Sequence, residues 1–164
     1  MHFRAARPAD VDDLVRLINE AYRGEGGWTS ESHLLGGQRT DAAAVSELLD
    51  TLVLAHDDDQ LLGCCSITLA DDHGYFGTFA VRQDTQGRGV GAALLAEAER
   101  RCAEAGLAHV EMTVLAGRTE LIAFYVRRGY TPTGDTAPFP YGDERFGQPR
   151  TDDLVFAVLR KQLS

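Results

Sequence analysis

The sequence is short of everything that marks a membrane, nucleic-acid or disulfide-stapled protein. No apolar run approaches the roughly 20 residues of a membrane span, and Met1-His2-Phe3-Arg4 leads to Pro8 and Asp10 rather than into a signal-peptide core. Basic residues are outnumbered, 16 Lys and Arg against 25 Asp and Glu, for a formal charge of −9. Phosphate backbones are bound by Lys and Arg concentrated on one face, so that balance argues against nucleic acid and is compatible with a cationic partner such as an amine. The three cysteines, Cys64, Cys65 and Cys102, are odd in number and lack ligand spacing, which disfavours both a disulfide framework and a metal site. A reducing cytoplasm fits them best. Cys64 and Cys65 are neighbours on an expected strand, so they face opposite ways as small core hydrophobes.

What is present is a soluble composition, 44% hydrophobic and 25% charged, with length for one domain over 1–164. Apolar periodicity alternates between helical and extended. Phe3 to Ala5 reads as a strand. Asp10 stands as N-cap before the stripe Val11, Leu14, Val15, Leu17, Ile18, Ala21 and Tyr22. Arg23 to Thr40 reads as a long loop. Asp41 caps a helix over 42–49. Leu52 to His56 and Leu61 to Leu69 read as a hairpin across Asp57-Asp58-Asp59-Gln60. Asp71 to Gly74 forms a turn before a strand over Tyr75 to Val81. An amphipathic helix follows and ends near Gly106. His109 to Leu115 is a strand, and Thr119 caps a helix closed by Gly129. Tyr130 to Thr133 and Leu154 to Leu159 are strands flanking a Pro- and Gly-rich loop from Thr136 to Arg150. The class is mixed α/β.

The chemistry lies in Gln86-Gly87-Arg88-Gly89-Val90-Gly91, set between a strand and a helix that opens at Ala92. A helix N-terminus aims unpaired backbone N–H groups at one point, and its dipole adds positive potential there. Glycines at 87, 89 and 91 allow positive φ and let a diphosphate approach the backbone; Arg88 adds a charge-assisted contact at the rim. The P-loop pattern is absent, which disfavours an ATP or GTP site. Gly87-Arg88-Gly89-Val90-Gly91-Ala92 formally satisfies G-x-G-x-x-G/A, but Arg82 to Gln86 separate it from the strand and the loop falls behind a hairpin, so an NAD-dependent enzyme ranks lower.

These residues resemble the GNAT acetyltransferase family. Its acetyl-CoA signature, [Q/R]-x-x-G-x-[G/A] between strand and helix, reads here Gln86-x-x-Gly89-x-Gly91. Phe79-Ala80-Val81 looks like the strand end whose backbone pairs with the pantetheine arm. A later family block, an aromatic-Tyr pair and a Gly-aromatic, appears as Phe124-Tyr125-Val126-Arg127-Arg128-Gly129-Tyr130. The resemblance spans Tyr75 to Thr133. It implies a twisted mixed central sheet with helices on both faces and a V-shaped splay between the fourth and fifth strands. It also implies direct transfer of the acetyl group of acetyl-CoA to an amine of a small molecule or peptide, with a homodimer as a common assembly. The cofactor-binding residues it assigns are Phe79, Ala80, Val81, Gln86, Gly87, Arg88, Gly89, Val90, Gly91 and Ala92. Tyr125 resembles the family's general acid, and a phenol is protonated at neutral pH.

Two departures stand out. Arg118 occupies the place where the family often has Asn, and Tyr75-Phe76-Gly77-Thr78 lacks the Glu that some members carry on that strand. Candidates for the base are Glu25, Glu31, His33, Glu111, Asp143, Glu144 or a water chain. The irregular stretches holding Trp28 and Phe139 to Phe146 are the expected places for acceptor selection. A non-catalytic acyl-CoA sensor is the alternative in a different class.

Overall fold

The computed structural model describes residues 1–23, 35–36, 39–85, 87–141 and 148–163. The extended segments become β1 (His2–Ala5), β2 (Leu52–Asp57), β3 (Gln60–Leu69), β4 (His73–Val81), β5 (His109–Leu115), β6 (Thr131–Pro138) and β7 (Val155–Gln162). They form one sheet in the order β1-β2-β3-β4-β5-β7-β6. Every pairing is antiparallel except β4 with β5. A separate two-residue ladder joins Leu35–Gly36 to Gln148–Pro149, so the two irregular stretches meet.

Strand alternation divides the interior in two. Leu52, Leu54, Cys64 and Ala80 face α1 (Val11–Arg23) and α2 (Ala42–Leu48). Val53, Ala55, Cys65 and Phe79 face α3 (Val90–Glu104) and α4 (Thr119–Arg127). Helices therefore cover both faces, and the adjacent cysteines point to opposite cores.

Several boundaries differ from the sequence expectation for local reasons. Asp10 is not an N-cap. It ends a 3-10 turn, Pro8–Asp10, that runs into α1, and its carboxylate accepts the Arg7 N–H at 2.8 Å and two Arg4 guanidinium bonds at 2.8 Å. Asp41 does cap α2, accepting from the Ala44 N–H at 2.9 Å. Thr119 is the first helical residue of α4, and Arg118 stands at the cap without a capping side-chain bond. Gly106, φ +79°, closes α3 with the paired bonds Gly106 N–H to Ala103 O and Leu107 N–H to Cys102 O. His73 and Gly74 belong to β4 rather than to the turn before it. β6 runs through Pro138, well past Thr133, because it is an edge strand, where proline is tolerated, with a register break between Pro132 and Thr136.

Two irregularities place the site. β4 and β5 pair only at His73↔His109, Gly74↔Val110 and Tyr75↔Glu111, then part. β4 also bulges: Thr78 has φ +42°, and the register against β3 shifts between Cys64↔Ala80 and Ser66↔Gly77.

Candidate active site

The glycine loop forms as its sequence requires. After β4 a 3-10 turn, Gln83–Thr85, is closed by the Thr85 hydroxyl donating to Arg82 O at 2.9 Å. Gly87 and Gly89 then take φ +91° and +82°, a region L-residues rarely occupy. Gly89 is the N-cap residue of α3, and the first intrahelical bond is Ala93 N–H to Gly89 O at 3.0 Å. The N–H groups of Val90, Gly91 and Ala92 precede that bond and have no intrahelical acceptor. They open on a cavity of about 540 Å³ that Val81, Thr85, Gly87 and Gly89 also line. Its opposite wall is α4, through Glu120, Ala123, Phe124 and Arg127, with Arg128 just past the helix end.

Arg88 does not line this cavity. Its side chain is 59% exposed and lies 3.7 Å from Asp57. Gln86 lies outside the described residues. Ala80 turns its side chain into the core under α1, leaving only its backbone near the strand end.

A second cavity, about 410 Å³, opens where β4 and β5 part. Tyr125 and Phe79 line it together with Tyr22, Phe139 and Phe156. Consecutive residues of α4 thus serve both cavities, Phe124 the first and Tyr125 the second. The Tyr125 ring packs against Phe76, Phe79, Phe124 and Tyr130 at 5.4–6.2 Å between centroids. Burial pushes its phenol well above the ordinary value, so it stays protonated. At the bulge, the Phe79 N–H donates to the Tyr22 hydroxyl at 2.8 Å, a buried bond.

No Asp, Glu or His among the described residues lines this second cavity. Glu111, a candidate base, sits on the paired end of β5 and binds Arg160 at 3.1 Å with His109 at 3.5 Å, away from the cavity. Glu25, Trp28, Glu31, His33, Asp143 and Glu144 lie outside the described residues. Cys64 and Cys65 are no nucleophiles: burial pushes the Cys64 thiol up to about 12 and the Cys65 thiol well above its usual value. No metal-binding group of three His, Cys, Asp or Glu occurs among the described residues, and no described helix is long and apolar enough to cross a membrane.

Sequence reasoning missed Tyr22 and Arg39, and gave Arg127 and Arg128 no role in lining the first cavity. Tyr22 completes the apolar stripe of α1, and nothing in that periodicity reveals that its hydroxyl reaches the β4 bulge. Arg39 is fixed by its own backbone, since Arg39 N–H and Thr40 N–H both donate to Asn19 Oδ1, at 2.7 and 2.9 Å. A polar residue on the buried side of α1 was the available clue.

A sequence model described as the Acetyltransferase (GNAT) family matches residues 11–130. No curated protein matches the chain. Among solved structures, a ribosomal-protein-alanine N-acetyltransferase from Brucella melitensis is 20% identical with TM-score 0.73, covering 99% of this chain and 100% of its own. A putative acetyltransferase from Salmonella typhimurium, solved with acetyl-CoA, is 17% identical with TM-score 0.70, covering 100% and 94%. Naa20 from Chaetomium thermophilum, in complex with a bisubstrate analogue, is 16% identical with TM-score 0.75, covering 99% and 87%.

Proposed function

The chain belongs to the GNAT acetyltransferase family, and from that premise we propose that it is an N-acetyltransferase moving the acetyl group of acetyl-CoA to an amine. The observation that carries the reading is the juxtaposition of the two cavities across α4: one presents the helix N-terminus, the other Tyr125 and the β4 bulge. The residues fit the donor. Glycines held at positive φ permit close approach, and the leading N–H groups of α3 suit a diphosphate without a basic side chain. The splay keeps β5 off β4 beyond Tyr75, leaving room for an extended arm beside Phe79, Ala80 and Val81. Acetyl-CoA supplies the acetyl group as an activated thioester.

In the transfer, the amine lone pair forms the N–C bond to the acetyl carbon as the C–S bond breaks with its electrons on sulfur. Tyr125 gives its hydroxyl proton to that sulfur, and the proton lost from nitrogen restores the phenol through solvent. The products are an N-acetyl amine and a free thiol. Holding both reactants in one cleft is worth ~7–11 kcal/mol of barrier. The Phe79 N–H at the bulge supports the charge developing on the carbonyl oxygen, a role worth roughly 2.7–4 kcal/mol for one good donor.

One observation favours a second reading, an acyl-CoA-binding sensor without turnover. The Phe79 N–H is held by Tyr22, and an acyl oxygen reaches it only by exchanging with that hydroxyl. Thiol release from acetyl-CoA, measured against polyamines, aminoglycosides, amino acids and N-terminal peptides, separates the two. Release that depends on an amine supports transfer. Tight acetyl-CoA binding with no release for any acceptor supports the sensor.

A further inference from the structure

The first cavity is positive at two ends. One is the start of α3, where the leading N–H groups and the helix dipole gather. The other lies across the cavity, where Arg127 and Arg128 line it at the end of α4. Arg127 is exposed and makes no ion pair with any described residue. Arg128 is half-buried and held in place. Its guanidinium lies 3.7 Å from the Phe124 ring centre, and one N–H donates to Phe124 O at 3.1 Å. A guanidinium carries five N–H donors, so most of them remain for a ligand. Among the described residues the one acid that lines this cavity is Glu120. It precedes Arg127 by two turns of α4, about 10 Å along the axis, which leaves the arginine end cationic.

Coenzyme A carries two separate anions, a diphosphate and a phosphate monoester on the 3′ oxygen of its ribose. Resting on the reading of this cavity as the acetyl-CoA site, we propose that Arg127 and Arg128 hold the 3′-phosphate while the start of α3 holds the diphosphate. The protein then selects its donor by the nucleotide end as well as by the thioester. A phosphate monoester carries nearly two negative charges at neutral pH and three acceptor oxygens. Guanidinium forks match that geometry and form charge-assisted bonds with it. Arg128 lies on the Phe124 ring before any ligand arrives, so it loses little side-chain freedom on binding. Phe124 also connects the two ends of the donor, because its ring stacks on Phe79 at 6.0 Å, at the strand end where the pantetheine arm runs. A thioester on a bare phosphopantetheine arm lacks the nucleotide and gains nothing from the pair. Cations in the last turn also offset the helix dipole, and Arg128 does bond a carbonyl there. That structural role acts on stability and does not distinguish one donor from another.

The test is calorimetric titration of the protein with CoA and with 3′-dephospho-CoA, which needs no turnover. The wild-type protein should bind CoA more tightly by on the order of tenfold to a hundredfold. Arg127→Gln and Arg128→Gln should each pull that ratio toward one while leaving the Kd for dephospho-CoA in place; that retained binding also shows the variants are folded. Equal affinity of the wild-type protein for the two ligands overturns the proposal and leaves acetyl-CoA as the donor. A ratio that survives in either variant, with only its melting temperature lowered, overturns the role of that arginine and makes it structural. Binding of neither ligand overturns the reading of the cavity and this assignment with it.

Discussion

Gly89 and Gly106 provide a matched pair for testing the glycine loop. Their φ values are +82° and +79°, and a Cβ built on either meets nothing within 4 Å. One opens α3 at the first cavity and the other closes the same helix at its far end. Replacing either by Glu imposes the same left-handed strain, about 1–2 kcal/mol, and adds the same charge. In a domain of this size that strain lowers the melting temperature by ~2–8 °C. At position 89 the new carboxylate lies among the leading N–H groups of α3, competing for them and repelling a diphosphate. At a separation of about 5 Å and an effective dielectric near 20, each unit of like charge costs ~3 kcal/mol, on the order of a hundredfold in Kd. CoA at roughly 100 times the wild-type Kd stabilises the wild-type protein by ~2.7 kcal/mol, about 5–10 °C in melting temperature. A hundredfold weaker Kd reduces that gain to ~0.4 kcal/mol. Thermal melts with and without CoA should therefore show Gly106→Glu keeping nearly the full ligand shift and Gly89→Glu losing almost all of it. A full shift in Gly89→Glu, or an equal loss in both variants, would refute the assignment of the loop.

Three other perturbations have defined outcomes. Tyr125→Phe should cut kcat by on the order of 10²–10⁴ with little change in CoA affinity. Because burial holds the phenol protonated, the wild-type enzyme should lose no activity to Tyr125 ionisation even near pH ~10; equal turnover in the variant removes Tyr125 from the acid role. Tyr22→Phe leaves the buried Phe79 N–H without its hydroxyl, costing about 1–3 kcal/mol of stability by denaturant titration, and should lower KM for acetyl-CoA because the competing acceptor is gone. An unchanged or higher KM would count against the bulge as the acyl site. Asp10→Asn breaks the two-pronged bond to Arg4 and should cost about 1–2 kcal/mol at pH 7, allowing for solvent screening. Arg4 holds the Asp10 carboxyl below its usual range, so its contribution is present above the unfolded-state pKa and fades as pH falls through the folded one. The gap between wild type and variant should close in acid; a constant gap would show the loss to be steric.

Where one local rule decided the outcome, the sequence was readable. The two-fold alternation of β2 and β3 put Cys64 and Cys65 on opposite faces, and the Asp41 cap and the Gly106 stop fell where composition placed them. The glycine loop was legible because positive φ and close backbone approach leave few residue choices. Asp10 misled because a carboxylate before an apolar stripe looks like a cap, and only tertiary contact with Arg4 shows otherwise. β6 was cut short because the Pro- and Gly-rich stretch from Thr136 read as loop, although an edge strand accepts Pro138. Tyr22, Arg39 and Arg118 reach one cavity from the end of α1, the segment before α2 and the turn before α4, a convergence with no sequence period.

The central claim is that this protein moves an acetyl group rather than only binding its carrier. The direct measurement follows thiol and N-acetyl product together, by thiol titration and mass spectrometry, in one reaction containing acetyl-CoA and an acceptor amine. The account predicts amine-dependent release that saturates, with product equal to thiol once hydrolysis is subtracted. Acetyl-CoA that binds and remains intact with every amine, or thiol without N-acetyl product, would contradict it.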